Sequence, residues 1–167
     1  MRHAAPRSGK AADDPANDRL TEQGRQQALA AARRLVGVGL TAVVSAPEQR
    51  TRDTALAITM MTLLPMASVD GALTSKAYSG ESPVARGQRG IVAVNRFMAA
   101  TQGSVAVVSH GHIIHNMCVL LTGRPVTPDV VATELVNAGI IKMQVTYTAN
   151  GTVWTQLSSD TLVRDDA

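Results

Sequence analysis

The chain has 167 residues, 45% of them hydrophobic, which is enough for one well-buried core and predicts a single domain over residues 1–167. Its apolar runs exclude a membrane span: Ile113 to Leu121, one of the longest, is interrupted by His115 and Asn116 well before the roughly 20 residues a bilayer needs. The formal charge of +3 comes mostly from Arg, but the basic residues are scattered and aromatics make up 2%, so little is available to stack on bases and no nucleic-acid partner is expected.

The opening segment, through GKAADDPAND, is rich in Gly, Pro, Asp and Asn and reads as a loop. From Thr21, an expected N-cap, EQGRQQALAAARRLVG places Ala28, Ala31, Ala32 and Leu35 at helical spacing and stops at Gly37. LTAVVS, residues 40–45, is the short continuous apolar run expected of a strand buried on both faces of a parallel sheet. RTRDTALAITMMTLL then predicts a helix and MASV, residues 66–69, a short strand. A helix is expected from about Val84 to Ala100, weakened by Gly87 and Gly90, followed by a second buried strand over Ser104–Ser109 and a helix in HIIHNMCVLLTG. In IIKMQVTYT, Ile141, Met143, Val145 and Tyr147 alternate with polar residues, as in a strand with one wet face, and Asn150-Gly151 predicts a hairpin into TVWTQLS. Strands alternating with helices make this an α/β protein, a three-layer α/β/α sandwich with a mostly parallel sheet and an antiparallel edge hairpin.

Cys118 is the only cysteine, so no internal disulfide forms, and its apolar surroundings suit a buried inert thiol. The first residues, MRHAAPRSGK, carry no apolar core of the kind a secretory leader needs, and a cytoplasmic protein is expected.

Two of the buried strands end in polar turns that open helices, VVSAPEQRTRDTA and VVSHGHIIHN. In open α/β sheets the ligand crevice lies at the carboxyl ends of the strands, where helix N-termini present free N–H groups to anions. Arg50 and His110 are expected to meet there. His110, His112 and His115 could alternatively hold a metal, but the stretch lacks clear carboxylate co-ligands, and no metal or other cofactor is expected.

Four segments, MRHA, NDRLTEQGRQQA, SAPEQRTRDTA and VVSHG, follow one another in the order and spacing of a known family. The chain resembles the histidine phosphatase superfamily, also called phosphoglycerate mutase-like, in its branch 1. In that family an Arg-His pair ends the first strand, a D-x-L-T-x-x-G-x-x-Q-A segment opens the first helix, an S-x-P-x-x-R-x-x-x-T-A turn follows the second strand, and S-H-G comes late. Asp18, Leu20, Thr21, Gly24, Gln27 and Ala28 match the second motif, and Ser45, Pro47, Arg50, Thr54 and Ala55 the third. SGESPVARGQR resembles the family's G-E-S segment through Gly80, Glu81, Ser82 and Arg89, and ELVNAG its Asn-containing turn before a late strand.

The resemblance implies a pocket in which Arg2, Arg50 and His110 bind phosphate and His3 attacks phosphorus, forming a phosphohistidine that water then hydrolyses. His112 and His115 are then bystanders. Phosphoglycerate-mutase-type transfer, or a non-catalytic phosphate-binding module, is the alternative. The partner implied is a phosphorylated small molecule or a phosphohistidine protein.

Two departures stand out. Only Met1 precedes Arg2-His3 where members carry an apolar strand, so the first strand is expected to be truncated and an upstream apolar segment to belong to it. The region ALTSKAYSG also lacks the carboxylate that many members use to protonate the leaving oxygen, with Glu81 the nearest candidate for a catalytic acid. In this respect the chain is similar to the small bacterial phosphohistidine phosphatases. Without such an acid, turnover is expected to favour phosphohistidine and aryl phosphates over alkyl phosphates.

Overall fold

The computed structural model describes residues 1–7, 18–123, 135–149 and 151–159. Helix α1 spans Glu22–Leu35, begun by Thr21, whose hydroxyl accepts from Gly24 N, and its Ala28, Ala31 and Ala32 are all buried. Strand β1, Leu40–Ser45, leads into α2, Gln49–Thr62, and then into β2, Ser68–Val69. A short 3-10 turn at Gly71–Leu73 precedes α3, Pro83–Ala100, capped by the Ser82 hydroxyl. Strand β3, Ser104–Val108, runs into α4, Gly111–Leu121, and the chain finishes with β4, Ile141–Thr148, and β5, Gly151–Ser159. Asn150, half of the expected hairpin turn, and most of the opening loop lie outside the described residues.

The parallel sheet has the order β2-β1-β3. Val43 pairs with Ala106 and Val44 with Val107, so successive residues of each strand face opposite layers. Val43, Ala106 and Val108 pack with Ala28, Ala31, Ala32, Ala55 and Ile58 of α1 and α2, while Val44, Val105 and Val107 meet α3 and its neighbours. Burial on both faces is why these strands are uninterrupted apolar runs. β2 is shorter than MASV suggested because only Ser68 and Val69 reach Val44 and Ser45 of β1, and both are exposed.

The two glycines that weaken α3 by propensity serve its packing on α4. A Cβ on Gly90 would come within 2.4 Å of Met117 Sδ, and one on Gly87 within 2.7 Å of Leu120 Cδ1. Close approach of the two helices outweighs the roughly 1 kcal/mol that each glycine costs a helix relative to alanine. The hairpin β4–β5 forms its own antiparallel sheet, and Ile141, Met143 and Trp154 cover the core beneath α4. No described helix is long and apolar enough to cross a membrane.

Met1 to His3 continue the sheet past β3. The Met1 amine donates to Val107 O at 2.7 Å, Ser109 N to Met1 O at 3.0 Å and His3 N to Ser109 O at 2.9 Å, with Arg2 bridged to Ser109 in parallel. On the other side Arg2 N donates to Gly139 O (3.0 Å) and Ala138 N to His3 O (3.1 Å). The backbone around His3 is thus held from both flanks, and Met1 is itself buried.

Candidate active site

Every element of the site sits at the carboxyl ends of β1, β3 and the segment 1–3. His3 is buried, and its Nδ1 lies 2.8 Å from the Ala4 carbonyl oxygen. A carbonyl only accepts, so the proton is assigned to Nδ1 and the lone pair to Nε2. Burial pushes the His3 imidazole down to about 3; the Ala4 carbonyl opposes this, and His110, Arg50 and Arg2 add to it. The ring stays neutral near pH 7, as a nucleophile must.

The motif residues around His3 have structural reasons. Ala4 N donates to Thr54 Oγ1 at 3.1 Å, and that hydroxyl donates to Arg50 O at 2.7 Å, tying the nucleophile's turn to the first turn of α2. Ala5 N donates to Gln27 Oε1, and Thr21 N to Ala5 O, which binds the same turn to α1. Gly24 is the point of closest approach: a Cβ there would sit 2.2 Å from Ala5 O. The T-x-x-G-x-x-Q pattern is therefore a clamp on the residues after His3.

His110 is the N-cap of α4 and 2% exposed, with its ring edge-on to His3 at 5.1 Å between centroids. Arg50 Nη2 lies 3.3 Å from His110 Nδ1, and Arg50 Nη1 forms an ion pair with Asp18. Asp18 also accepts from Gln49 N, so one carboxylate both orients Arg50 and satisfies the start of α2. Arg2 Nη1 donates to Leu135 O at 2.6 Å, and its side chain crosses Gly111, where a Cβ would come within 3.3 Å of Arg2 Cδ. His3, Arg2, Arg50 and His110 thus come together from three distant stretches of sequence.

Glu81 does not join them. Its carboxylate accepts from Arg89 at 2.7 and 3.0 Å, accepts from Tyr78 N at 3.2 Å and lies 3.6 Å from Arg86 Nε. The Arg89 bonds foremost hold the Glu81 carboxyl down to about 2. The expected acid Glu81 is thus held deprotonated and paired with Arg89 in this structure.

The carboxylate that does stand beside a histidine is Glu48, and sequence reasoning passed over it. Its Oε1 accepts from Thr74 Oγ1 (2.5 Å), Ser75 N (2.9 Å) and Ser75 Oγ (3.0 Å), while Oε2 lies 3.0 Å from His110 Nε2, too poorly aligned for a full hydrogen bond. Burial would raise the Glu48 carboxyl, but His110 and the Thr74 hydroxyl outweigh it and hold it well below the usual carboxylate range. Burial lowers His110, Arg50 adding to it, against the opposing pull of Glu48 and Asp18. The one available signal was position: Glu48 shares a turn with Arg50, just past the end of β1.

His112 stands beside His110. Its ring stacks on His110 at 6.1 Å between centroids and 28° between planes, and burial foremost lowers it to about 4. Among the described residues no group of three or more His, Cys, Asp or Glu side chains is arranged to hold a metal ion.

Two histidines and two arginines at the mouth of a parallel sheet define a phosphate-handling α/β protein. The chain belongs to the histidine phosphatase superfamily, branch 1, whose family model matches residues 1–73 and 69–158. No curated protein sequence matches it. Among solved structures it is similar to the native mycobacterial glucosyl-3-phosphoglycerate phosphatase, with 22% identity, 96% of each chain covered and a TM-score of 0.79. The complex of that enzyme with inorganic phosphate gives 22% identity, 96% and 94% coverage and a TM-score of 0.77. Phosphoserine phosphatase of Entamoeba histolytica, in complex with 3-phosphoglyceric acid, gives 16% identity, 97% and 95% coverage and a TM-score of 0.74.

Proposed function

We propose that this protein is a cytoplasmic phosphatase that hydrolyses a small phosphomonoester or a phosphohistidine through a covalent phosphohistidine on His3. The observation that carries the reading is the state of His3: a buried neutral imidazole with Nδ1 committed to Ala4 O and Nε2 free to attack, among Arg2, Arg50 and His110. A phosphate monoester dianion repels nucleophiles, so positive charge must collect around its oxygens before attack. The guanidiniums of Arg2 and Arg50 bring that charge in a form suited to phosphate, and the N-terminus of α4 adds its dipole. No metal ion is required for this chemistry. The small-molecule half of the reading is supported by the neighbours, whose names and bound ligands are phosphoglycerate derivatives, phosphoserine and phosphate. The lone buried Cys118 suits a reducing cytoplasm.

The test is to trap the intermediate. Brief reaction with phosphorus-labelled aryl phosphate, quenched without acid, should place an alkali-stable label on His3, and His3→Ala should abolish both label and turnover while leaving the melting transition in place. Label on Ser45 or Thr54 would overturn the mechanism, and phosphate or vanadate binding without turnover would point to a binding module instead.

A further inference from the structure

With Glu81 paired to Arg89, the proton for the leaving oxygen has to come from another group. We propose that Glu48 is a positioning residue for His110: anchored by Thr74 and Ser75, its carboxylate holds a proton on Nε2, so that Nδ1 is the nitrogen turned to the phosphate pocket. This inference rests on the phosphatase reading and deepens it.

The geometry has three parts. Glu48 Oε1 is fixed by three donors from the segment after β2, which keeps Oε2 at ion-pair distance from His110 Nε2, 3.0 Å away. Both side chains are nearly buried, at 9% and 3% exposure, so water screens their attraction little. The other ring nitrogen, Nδ1, faces the Arg50 guanidinium at 3.3 Å, on the side where a phosphoryl oxygen bound by Arg50 would lie. A carboxylate on one imidazole nitrogen with the working nitrogen opposite is the arrangement that stabilises an imidazolium and fixes its tautomer.

Among the described residues, the charged and titratable groups facing His110 are Glu48, the N-cap of α2, Arg50 from α2, His3 from the segment 1–3, His112 from α4, and Asp18 ahead of α1. Burial and Arg50 disfavour an added proton, Asp18 favours it, and Glu48 is the anion in direct contact. An arriving phosphate brings negative charge to the Nδ1 side and draws a proton there, completing the imidazolium. As His3 Nε2 forms its bond to phosphorus, the P–O bond breaks and its electron pair leaves with the oxygen, which takes the Nδ1 proton from His110. In the second step water adds to phosphorus, the P–N bond returns its pair to His3, and the proton released by water goes back to His110 Nδ1. Atoms and charge balance over the cycle without a further reactant.

The experiment is a pH profile of kcat/KM for an aryl and an alkyl phosphate in wild type, Glu48→Gln and Glu48→Asp, together with NMR titration of the imidazole nitrogens of His110 in the phosphate-bound protein. His110 acts in its protonated form, so activity falls as pH rises through its pKa. Removing the adjacent negative charge lowers that pKa, and the alkaline limb of Glu48→Gln should move to lower pH by about one unit or more. The alkyl rate should fall by about tenfold or more, with the aryl rate falling less because its leaving group needs the proton less. Glu48→Asp should restore most of the limb position. The NMR titration should show the same downward shift and loss of the Nε2–H form.

A merely structural role for Glu48 would lower activity and leave the limb and the His110 titration where they were, and that result would overturn the proposal. If the wild type fails to turn over any phosphate, the phosphatase reading falls, while the His110 titration still decides whether Glu48 holds its proton.

Discussion

Thr54→Val isolates the link between the nucleophile's turn and helix α2. Valine has nearly the shape of threonine, so the substitution deletes a hydroxyl without opening a cavity. Ala4 and Thr54 are both 0% exposed, so the Ala4 N–H loses its acceptor where water does not reach. A buried donor left unsatisfied costs about 1–3 kcal/mol. Taking ~2 kcal/mol, a chain of this size should melt about 4–8 °C lower. The same bond fixes the residue after His3, and a displacement there of about 1 Å is expected to cost up to a hundredfold in kcat. The control is Thr59→Val in the same helix. Thr59 is also buried, but its hydroxyl only donates to Leu56 O, so no orphaned donor remains. Calorimetry and turnover of an aryl phosphate on both variants make the comparison. Equal melting temperatures for the two, with wild-type turnover in Thr54→Val, would refute the idea that this hydroxyl holds the nucleophile in place.

The burial of His3 predicts a pH dependence of stability. Its folded pKa of about 3 lies below the ordinary value of 6.5, so between these limits the unfolded chain binds the extra proton and stability falls as pH falls. Urea titrations between pH 7 and pH 4 should show a shallower loss for His3→Gln than for wild type, and parallel curves would mean that His3 is not buried neutral. Glu81→Gln should lower the melting temperature through Arg89, which also donates to Ala72 O, and should slow aryl and alkyl phosphates by the same factor. Selective loss of the alkyl rate by more than about tenfold, against the hundredfold or more typical of a general acid, would return the acid role to Glu81.

What the sequence conveyed well were features with a local cause. The continuous apolar runs over 40–45 and 104–108 are strands because both their faces are covered, and the motif spacing carried His3, Arg50 and His110 into one pocket. What it conveyed poorly were contacts between distant segments. Glu48 became visible only when the polar stretch containing Thr74 and Ser75 folded back against the start of α2. Glu81 is the nearest carboxylate along the chain, yet Arg86 and Arg89 stand in the first turns of α3 and claim it. Gly87 and Gly90 registered as helix-weakening residues, because nothing along the chain announces that Met117 and Leu120 press on them from α4.

The backbone clamp on residues 1–3 also governs when the protein acquires its chemistry. Arg2 and His3 precede α1 in chain order, but Ala138 and Gly139, which hold one flank, follow α4. Closing that contact spans most of the polypeptide, the kind of long loop that folds late. Until it closes, one flank of the His3 backbone lacks the partners that hold it in the folded protein. Cleavage of the finished protein between α4 and Leu135 would threaten the same clamp, since the severed strands β4 and β5 could depart with Ala138 and leave the nucleophile attached but unaimed.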